Sequence, residues 1–342
     1  MMLEQTRALR ERIDRLPRAR LAHLPTPLDD CPRLSAAIGP TVQIKRDDCT
    51  GLAFGGNKVR QHEFMLGDAV ASGADCIIQG SASQSNHSRQ LAAAGAKLGL
   101  DVYLLPKLDA MSHPVQGNYL VSHLLGATIQ PIEAHESTMQ RKEDLAATLR
   151  AEGRNPYVVG MGAARSLVLA TVAYVNALIE IVEASDEVPD WIFTPSQGST
   201  QAGLQLGCDL LGLPTRVVGI NPLNEKHEAY VQPAETAEFA RAAAALLDLP
   251  TSITEADIVN STDYVGKGYG IPSEAGLAAL HTLASTEGIL LDPIYSGKGF
   301  AGLLDYCQRG IVSTSDRVIF LHTGGLPALF SYAGSLVDES AV

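Results

Sequence analysis

Lys58 is the residue of this sequence best placed for covalent chemistry. It follows two glycines and an asparagine, Gly55, Gly56 and Asn57. Glycine permits a tight turn and a close backbone approach, so a flat ligand can lie against this segment. A lysine amine can form a Schiff base with a carbonyl cofactor. Taken alone, the segment is more typical of a lysine at the start of a surface helix, and the rest of the chain must distinguish the two interpretations.

Three further segments combine small residues with hydroxyls or amides, at residues 80–87, 195–200 and 322–325. Each follows a short apolar run that reads as a strand, and α/β sheets bind ligands beyond the carboxyl ends of their strands. The segment 195–200 suits a phosphate, because its hydroxyls and N–H groups open a predicted helix whose dipole favours an anion. Each segment alone is equally compatible with simple helix capping.

The elements that must position these residues alternate between short apolar runs and longer amphipathic ones. The predicted strands are 76–78, 102–105, 128–132, 157–159, 191–194, 217–220 and 318–321. The predicted helices are 86–98, 118–125, 167–183, 201–211 and 273–286. Alternation of strand, turn and helix predicts an α/β protein with parallel sheets covered by helices.

Nucleotide-binding motifs do not explain the lysine. Asn57 separates the glycines from Lys58, and Val59 replaces the hydroxyl residue that a phosphate-binding P-loop requires. The sequence also contains no GxGxxG fingerprint after a strand, no GxSxG elbow and no HExxH helix.

Composition narrows the class of protein. The chain has 342 residues, 46% of them hydrophobic, and a formal charge of −12, which argues against a nucleic-acid or anionic-membrane surface. Its five cysteines show neither paired spacing nor a zinc pattern, so we expect no metal and a reducing compartment. The N-terminus lacks a secretory apolar region, and residues 167–182 read as a buried helix rather than a membrane span. A soluble, cytoplasmic protein is predicted.

Several motifs occurring in a fixed order resemble those of one family. They are Leu-Pro-Thr-Pro-Leu at 24–28, Lys-Arg-Asp-Asp at 45–48, Gly-Gly-Asn-Lys at 55–58, Gln-Ser-Asn-His at 84–87, Gly-Tyr-Gly at 268–270, Asp-Pro-Ile-Tyr at 292–295 and His-Thr-Gly-Gly at 322–325. The chain resembles the pyridoxal-phosphate enzymes of the D-cysteine desulfhydrase and 1-aminocyclopropane-1-carboxylate deaminase group. The resemblance runs from about residue 20 to residue 332.

The resemblance implies a tryptophan-synthase-β-like fold, fold type II, with two domains that are each a mostly parallel twisted sheet flanked by helices. Residues 1–50 and 165–342 would form a larger cofactor-binding domain, and residues 51–164 a smaller mobile domain. Lys58 would lie at their interface. The family also implies a homodimer that acts on a small amino-acid substrate.

The resemblance further assigns roles in cofactor binding. Lys58 would be the Schiff-base lysine and the general base at Cα, and Asn57 would hydrogen-bond the 3′ oxygen of pyridoxal 5′-phosphate. Thr323 would meet the pyridine nitrogen, where a hydroxyl would not hold the ring protonated. The phosphate would be held by four residues, Gln197, Gly198, Ser199 and Thr200. Relatives more usually carry Ser-Gly-Gly-Thr there, so this chain differs at two positions and lacks the second glycine.

Substrate roles follow from the same resemblance. Ser85, Asn86 and His87 would grip the substrate carboxylate, with Ser85 also placed for proton or nucleophile chemistry. Tyr295 and Tyr269 would be catalytic residues on the substrate side of the cofactor. Alternatives remain, since Ser85 could cap a helix, Tyr295 could be a core tyrosine, and Thr323 could be a turn residue.

Two positions distinguish the branches of the group. The ring-opening deaminases carry a glutamate and a leucine where this chain has Ser296 and Thr323, which match the desulfhydrase pattern. Ser296 would then bind substrate, although residues 49–56 look more like the deaminases. The implied reaction is β-elimination, most simply D-cysteine to pyruvate, ammonia and sulfide. The alternatives are a 1-aminocyclopropane-1-carboxylate deaminase and a cysteate-type sulfo-lyase.

Two interpretations remain beside this assignment. Arg165 could bind a second acidic group, such as a substrate sulfonate, or pair with a surface carboxylate, and we expect the carboxylate. The protein could also bind the cofactor without catalysis, but the joint presence of Lys58, Ser85 and Tyr295 argues against that.

Overall fold

The computed structural model describes residues 2–107, 115–160 and 164–336. The strands in these ranges are β1 (Leu28–Asp30), β2 (Thr41–Lys45), β3 (Cys76–Ala82), β4 (Asp101–Lys107), β5 (Thr128–Ile129), β6 (Pro156–Val158), β7 (Trp191–Thr194), β8 (Arg216–Ile220), β9 (Val259–Ser261) and β10 (Arg317–Leu321). The helices are α1 (Met2–Ile13), α2 (Pro32–Ile38), α3 (Lys58–Ala71), α4 (Asn86–Leu98), α5 (Gly117–Leu124), α6 (Thr138–Ala151), α7 (Ala164–Ala184), α8 (Ser199–Leu211), α9 (Pro233–Leu246), α10 (Glu274–Glu287), α11 (Ser296–Gln308), α12 (Leu326–Ser331) and α13 (Ala333–Leu336). Every strand and helix predicted from the sequence is present, so the α/β prediction is confirmed.

One predicted strand is shorter than expected. The run 128–132 forms strand only over β5, and Ile132 makes a single bridge to Lys107. The physical reason is Pro131, which has no N–H group to continue the ladder.

The smaller sheet has four strands in the order β5-β4-β3-β6, and all its pairs are parallel. Its central strand, β3, begins with Cys76, Ile77 and Ile78, which are all fully buried. A parallel strand covered on both faces needs such a continuous apolar run. The segment after β3 leads directly into α4, so residues 83–87 lie at the carboxyl edge of this sheet.

The larger sheet has six strands in the order β1-β2-β10-β7-β8-β9. β1 pairs antiparallel with β2, and the other pairs are parallel. Because β10 runs beside β7, with Phe320 opposite Phe193, the segments that follow these strands emerge at the same edge. Residues 195–200 and 322–325 are thereby brought together.

Helix α7 packs in the interior. Within the described ranges it is the one helix long and apolar enough to cross a membrane, yet 72% of its apolar window is buried inside the protein. It therefore serves as a core helix, as its sequence pattern predicts.

The strands of the smaller sheet all lie between residues 76 and 158, and those of the larger sheet lie on either side of that range. An ion pair between Arg60 of α3 and Glu180 of α7, at 2.7 Å, connects the segment after Lys58 to the core helix. The domain limits at residues 50 and 165, and the mobility of the smaller domain, stay predictions.

Candidate active site

Lys58 is the first residue of α3 and follows a turn that requires glycine. Gly55 and Gly56 have φ angles of 66° and 125°, in the region that disfavours side chains. A Cβ atom on Gly55 would lie 1.9 Å from the carbonyl oxygen of Asp48, and one on Gly56 would lie 2.4 Å from Nε2 of Gln90. The backbone can therefore approach its neighbours only because both residues lack side chains.

The environment of Lys58 favours a reactive amine. Desolvation by burial lowers the pKa of Lys58 from 10.5 to about 8. A much larger fraction of the amine is then neutral near pH 7 than for an exposed lysine, and the neutral form is the nucleophile and base. α3 is otherwise largely buried, so Lys58 does not open a surface helix.

The Lys58 turn contacts the loop after β10. The N–H of Asn57 donates to the carbonyl of Thr323 at 2.9 Å. A Cβ atom on Gly324 would lie 2.7 Å from Cα of Gly56, so the two glycine-rich segments touch backbone to backbone. Thr323 is buried here, and its predicted contact with a pyridine nitrogen stays a prediction.

The N-terminus of α8 is suited to an anion and is contacted by α3 and the turn before it. Gly198, with φ 63°, precedes Ser199 and Thr200. Oγ1 of Thr200 accepts from Nε2 of Gln61 at 3.0 Å and from Nδ2 of Asn57 at 3.4 Å. A threonine hydroxyl that accepts both bonds keeps its own hydrogen to donate to an anion. Donated hydroxyl hydrogens and the helix dipole together favour a phosphate.

Gln197 differs from its neighbours in how its side chain is used. Oε1 accepts from Nδ2 of Asn221 at 2.6 Å and from the N–H of Val231 at 2.9 Å, while Nε2 donates to the carbonyl of Ala229 at 2.7 Å. These bonds hold the loop 221–231 against the start of α8. The side-chain amide of Gln197 is thus hydrogen-bonded within the protein. In its predicted role, Gln197 would bind the phosphate through its backbone N–H group.

Ser85, Asn86 and His87 lie together at the N-terminus of α4. Oγ of Ser85 accepts from the N–H of Ser88 at 3.1 Å, so this hydroxyl does cap the helix. The ring of His87 stacks on that of His62 with 4.9 Å between centroids. Nε2 of His87 has no hydrogen-bond partner among the described residues. The substrate roles predicted for the three residues stay predictions.

Tyr269 and Tyr295 hydrogen-bond to each other through their hydroxyls. Both line a small cleft, together with Ala82, Gln84, Gly270, Ile294, Ala328 and Tyr332. Both tyrosine rings are partly exposed, which favours the predicted substrate side over a core role for Tyr295.

Ser296 lies differently from what its predicted role requires. Its side chain is fully buried, and its Oγ donates to Oδ2 of Asp292 at 2.6 Å and accepts from the N–H of Asp292 at 2.7 Å. Asp292 also accepts from the N–H groups of Ile294 and Tyr295. The Ser296 hydroxyl therefore stabilises the turn that carries Tyr295, and its predicted substrate contact is not supported by this geometry.

Arg165 forms an ion pair with Asp68, with the closest N–O distance at 2.5 Å. Pairing with a carboxylate was expected, but Asp68 is largely buried rather than at the surface. Residues 161–163, which precede this helix, lie outside the described residues.

Four site residues were missed from the sequence: Gln61, His62, Arg89 and Gln90. Gln61 and His62 follow Lys58 by three and four residues, so a helix that begins at Lys58 places them on the same face as Lys58. That helix was not predicted, so no sequence pattern indicated that Gln61 and His62 lie near Lys58. Gln90 is fully buried, and neither its Oε1 nor its Nε2 has a partner among the described residues.

These residues fit pyridoxal phosphate. The partnerless amide of Gln90 lies against the Gly56 turn, where a Cβ atom would clash with it, and a buried polar group without a partner indicates a place for a ligand. Lys58 would supply the amine for the aldehyde, and Ser199 and Thr200 would hold the phosphate. The donor set matches an aldehyde joined to an anion.

Comparisons with known proteins identify relatives of this chain. Residues 19–324 match the family model described as "Pyridoxal-phosphate dependent enzyme". The chain is 37% identical over 329 residues to a D-cysteine desulfhydrase of Klebsiella pneumoniae (strain 342), covering 94% of this chain and 98% of the relative. A D-cysteine desulfhydrase of Salmonella typhi is also 37% identical, over 327 residues, covering 94% of this chain and 97% of the relative.

A solved structure described as an "ACC deaminase homologue" superposes with a TM-score of 0.86 at 33% identity, covering 96% of this chain and 98% of that chain. The predicted fold type II architecture and pyridoxal-phosphate cofactor are thereby confirmed. The chain belongs to the family of pyridoxal-phosphate dependent enzymes.

Proposed function

We propose that this protein is a carbon–sulfur lyase that converts D-cysteine and water to pyruvate, ammonia and hydrogen sulfide. The observation that carries the proposal is the identity of 37% to D-cysteine desulfhydrases over nearly the whole length of both chains. The site supports it, because Asn57, the residue before Lys58, donates to Oγ1 of Thr200 at the N-terminus of α8.

Each residue contributes a step that its position supports. Pyridoxal phosphate, when bound, withdraws electrons from the bond that breaks at Cα. Lys58 removes the Cα proton, and Ser85, Asn86 and His87 hold the carboxylate at the N-terminus of α4. The linked hydroxyls of Tyr269 and Tyr295 face the β-substituent and can give a proton to the departing sulfur. The released unsaturated amine then reacts with water to give pyruvate and ammonia.

The surroundings of Ser296 favour elimination over ring opening. The resemblance implies that the ring-opening deaminases carry a glutamate at this position. Here the position lies 2.6 Å from the Asp292 carboxylate, so a glutamate would bring two buried carboxylates together at a cost in free energy. This chain's own neighbourhood suits a hydroxyl. The sulfo-lyase alternative has less support, since Arg165 is already bound to Asp68.

A substrate panel tests the proposal. We expect D-cysteine or a close β-substituted analogue, such as β-chloroalanine, to yield pyruvate and ammonia, while aminocyclopropane carboxylate yields little 2-oxobutyrate. Both enantiomers of each amino acid and cysteate belong in the panel. Faster turnover of aminocyclopropane carboxylate than of every β-substituted amino acid would show that the deaminase alternative is correct.

Phosphate binding at α8 gives a second measurable result. Thr200→Val removes the hydroxyl that Gln61 and Asn57 orient, so the cofactor should bind more weakly by about 1.5–3 kcal/mol, the value of a charge-assisted hydrogen bond. The concentration of pyridoxal phosphate that half-saturates the cofactor-free protein measures this loss. Thr215→Val is the matched control, because Thr215 is also buried but precedes β8 at the opposite edge of the sheet. Equal affinities in the two variants would place the phosphate elsewhere.

We also propose that the enzyme is a cytoplasmic homodimer. The family resemblance supports the dimer, and five free cysteines fit a reducing compartment. Sedimentation of the purified holoenzyme at the mass of one chain would contradict the dimer.

A further inference from the structure

Arg89 is a fully buried cation in the first turns of α4. Its Nε donates to Oδ1 of Asn118 at 2.6 Å, and one terminal nitrogen donates to the carbonyl of Gly55 at 3.1 Å and to Oδ1 of Asn86 at 3.4 Å. The other terminal nitrogen donates to the carbonyl of Ala53. Every one of these acceptors is neutral.

Arg60, which is also fully buried, differs from Arg89 in its hydrogen-bond partners. Arg60 hydrogen-bonds to two carboxylates, those of Asp47 and Glu180. No carboxylate pairs with Arg89 among the described residues, and desolvation by burial lowers the pKa of Arg89 to about 9. The group remains charged at pH 7. A buried charge without a counter-charge is costly and is rarely retained unless something balances it.

Two contacts of Arg89 belong to segments of the candidate active site. Asn86 belongs to the segment predicted to grip a carboxylate, and Gly55 belongs to the turn that carries Lys58. The N-terminus of α4 adds a partial positive charge on the same side. Desolvation by burial lowers the pKa of His62 well below its usual value, and the charges of His87, Lys58 and Arg89 lower it further.

We propose that Arg89 is a positioning residue whose buried charge is balanced by the carboxylate of the bound amino acid. It acts through the Asn86 side chain and the Ala53–Gly55 turn without touching the ligand itself. The inference rests on the proposed function in one respect, namely that the substrate is an amino acid. It adds a charge interaction that discriminates a carboxylate from an uncharged group of the same shape.

The test compares alanine with alaninamide, which differ in that charge and have no β-group to eliminate. Both enantiomers of each are titrated into the holoenzyme, and binding is followed by the visible absorbance of the cofactor. The wild-type protein should prefer alanine. In Arg89→Gln that preference should fall on the order of tenfold, the loss expected for one partly screened charge interaction. Arg154→Gln is the control, because Arg154 pairs with Asp75 and Asp101 at the far edge of the smaller sheet.

A second variant separates charge from shape and serves if Arg89→Gln does not fold. Desolvation by burial lowers the pKa of two lysines of this protein, Lys58 and Lys298, to about 8. In Arg89→Lys the preference for alanine, taken relative to wild type at the same pH, should therefore persist below pH 8 and fade above it. A preference that does not change with pH in this variant would contradict the proposal.

The outcomes distinguish this inference from the proposed function. Equal weakening of alanine and alaninamide in Arg89→Gln would show a purely structural role and overturn the inference alone. A shifted preference in a protein that does not convert D-cysteine would support the inference and reject the proposed substrate. Failure of the wild-type holoenzyme to bind either enantiomer of alanine would reject both.

Discussion

Lys58→Ala is expected to lose both the visible absorbance of the bound cofactor and the lyase activity, while the fold is retained. The amine is the covalent attachment point and the base at Cα, and general acid–base catalysis alone contributes roughly 10²–10⁴-fold. Lys58→Arg should fail as well, because a guanidinium is neither a nucleophile nor a base near neutral pH. Absorbance of the dialysed protein and pyruvate release measure the two effects.

Lys298 provides the matched control for this variant. Its side chain is fully buried, and desolvation by burial lowers its pKa to about 8, as for Lys58. Its Nζ donates to the carbonyls of Val265 and Gly268, so we assign it the role of stabilising the loop before Tyr269. Lys298→Met should therefore keep the cofactor absorbance. Loss of absorbance in that variant, together with its retention in Lys58→Ala, would reverse the assignment of the two lysines.

Arg60→Leu is expected to lower the free energy of unfolding by about 3–5 kcal/mol, the loss found when one partner of a buried ion pair is removed. Arg60 binds Asp47 and Glu180, with Lys45 beside Glu180 at 3.1 Å. Two cations and two anions balance in this buried cluster, so removing the guanidinium leaves an excess negative charge. Urea unfolding of the cofactor-free protein measures the change without a contribution from ligand binding.

Arg10→Ala tests whether burial of the ion pair causes the large loss in the free energy of unfolding. Arg10 pairs with Glu183 at 2.7 Å, the same distance as between Arg60 and Glu180, but both side chains of the Arg10 pair are 38% exposed. Exposed pairs contribute about 0–1 kcal/mol, so this variant should be close to wild type. Similar losses in the two variants would show that the buried cluster is not a special source of stability. The cluster also matters for the site, because the Asp47 carbonyl accepts from the N–H of Gly56.

The larger part of the fold could be predicted from local patterns. The apolar run that becomes β3 and the helix that begins at Asn86 were both located from residue periodicity and capping residues. Such features depend on neighbours within a few residues, which the sequence displays directly. Helix α3 was not predicted, because its buried residues include the polar Arg60, His62 and Glu63. Its sequence therefore shows no division into an apolar and a polar face.

The site was predicted less completely. The motif order indicated Lys58 and a predicted anion site at Thr200, assigned Ser296 to substrate and gave Gln197 a ligand role. Both side chains instead hydrogen-bond within the protein. A hydroxyl or amide has the same appearance in a sequence whether it faces a ligand or a backbone group, so its partner has to be seen.

The sequence by itself determined the strand–helix alternation, the glycine turn before Lys58 and the order of the segments that meet at the carboxyl ends of the strands. Tertiary structure alone decided which polar groups satisfy one another. It joined Gln61 to Thr200 and balanced Arg60 with Asp47 and Glu180, and among the described residues it gave Arg89 only neutral partners. The physical reason is that the balance of a buried charge depends on side chains brought together by packing from distant parts of the chain, and local periodicity carries no record of them.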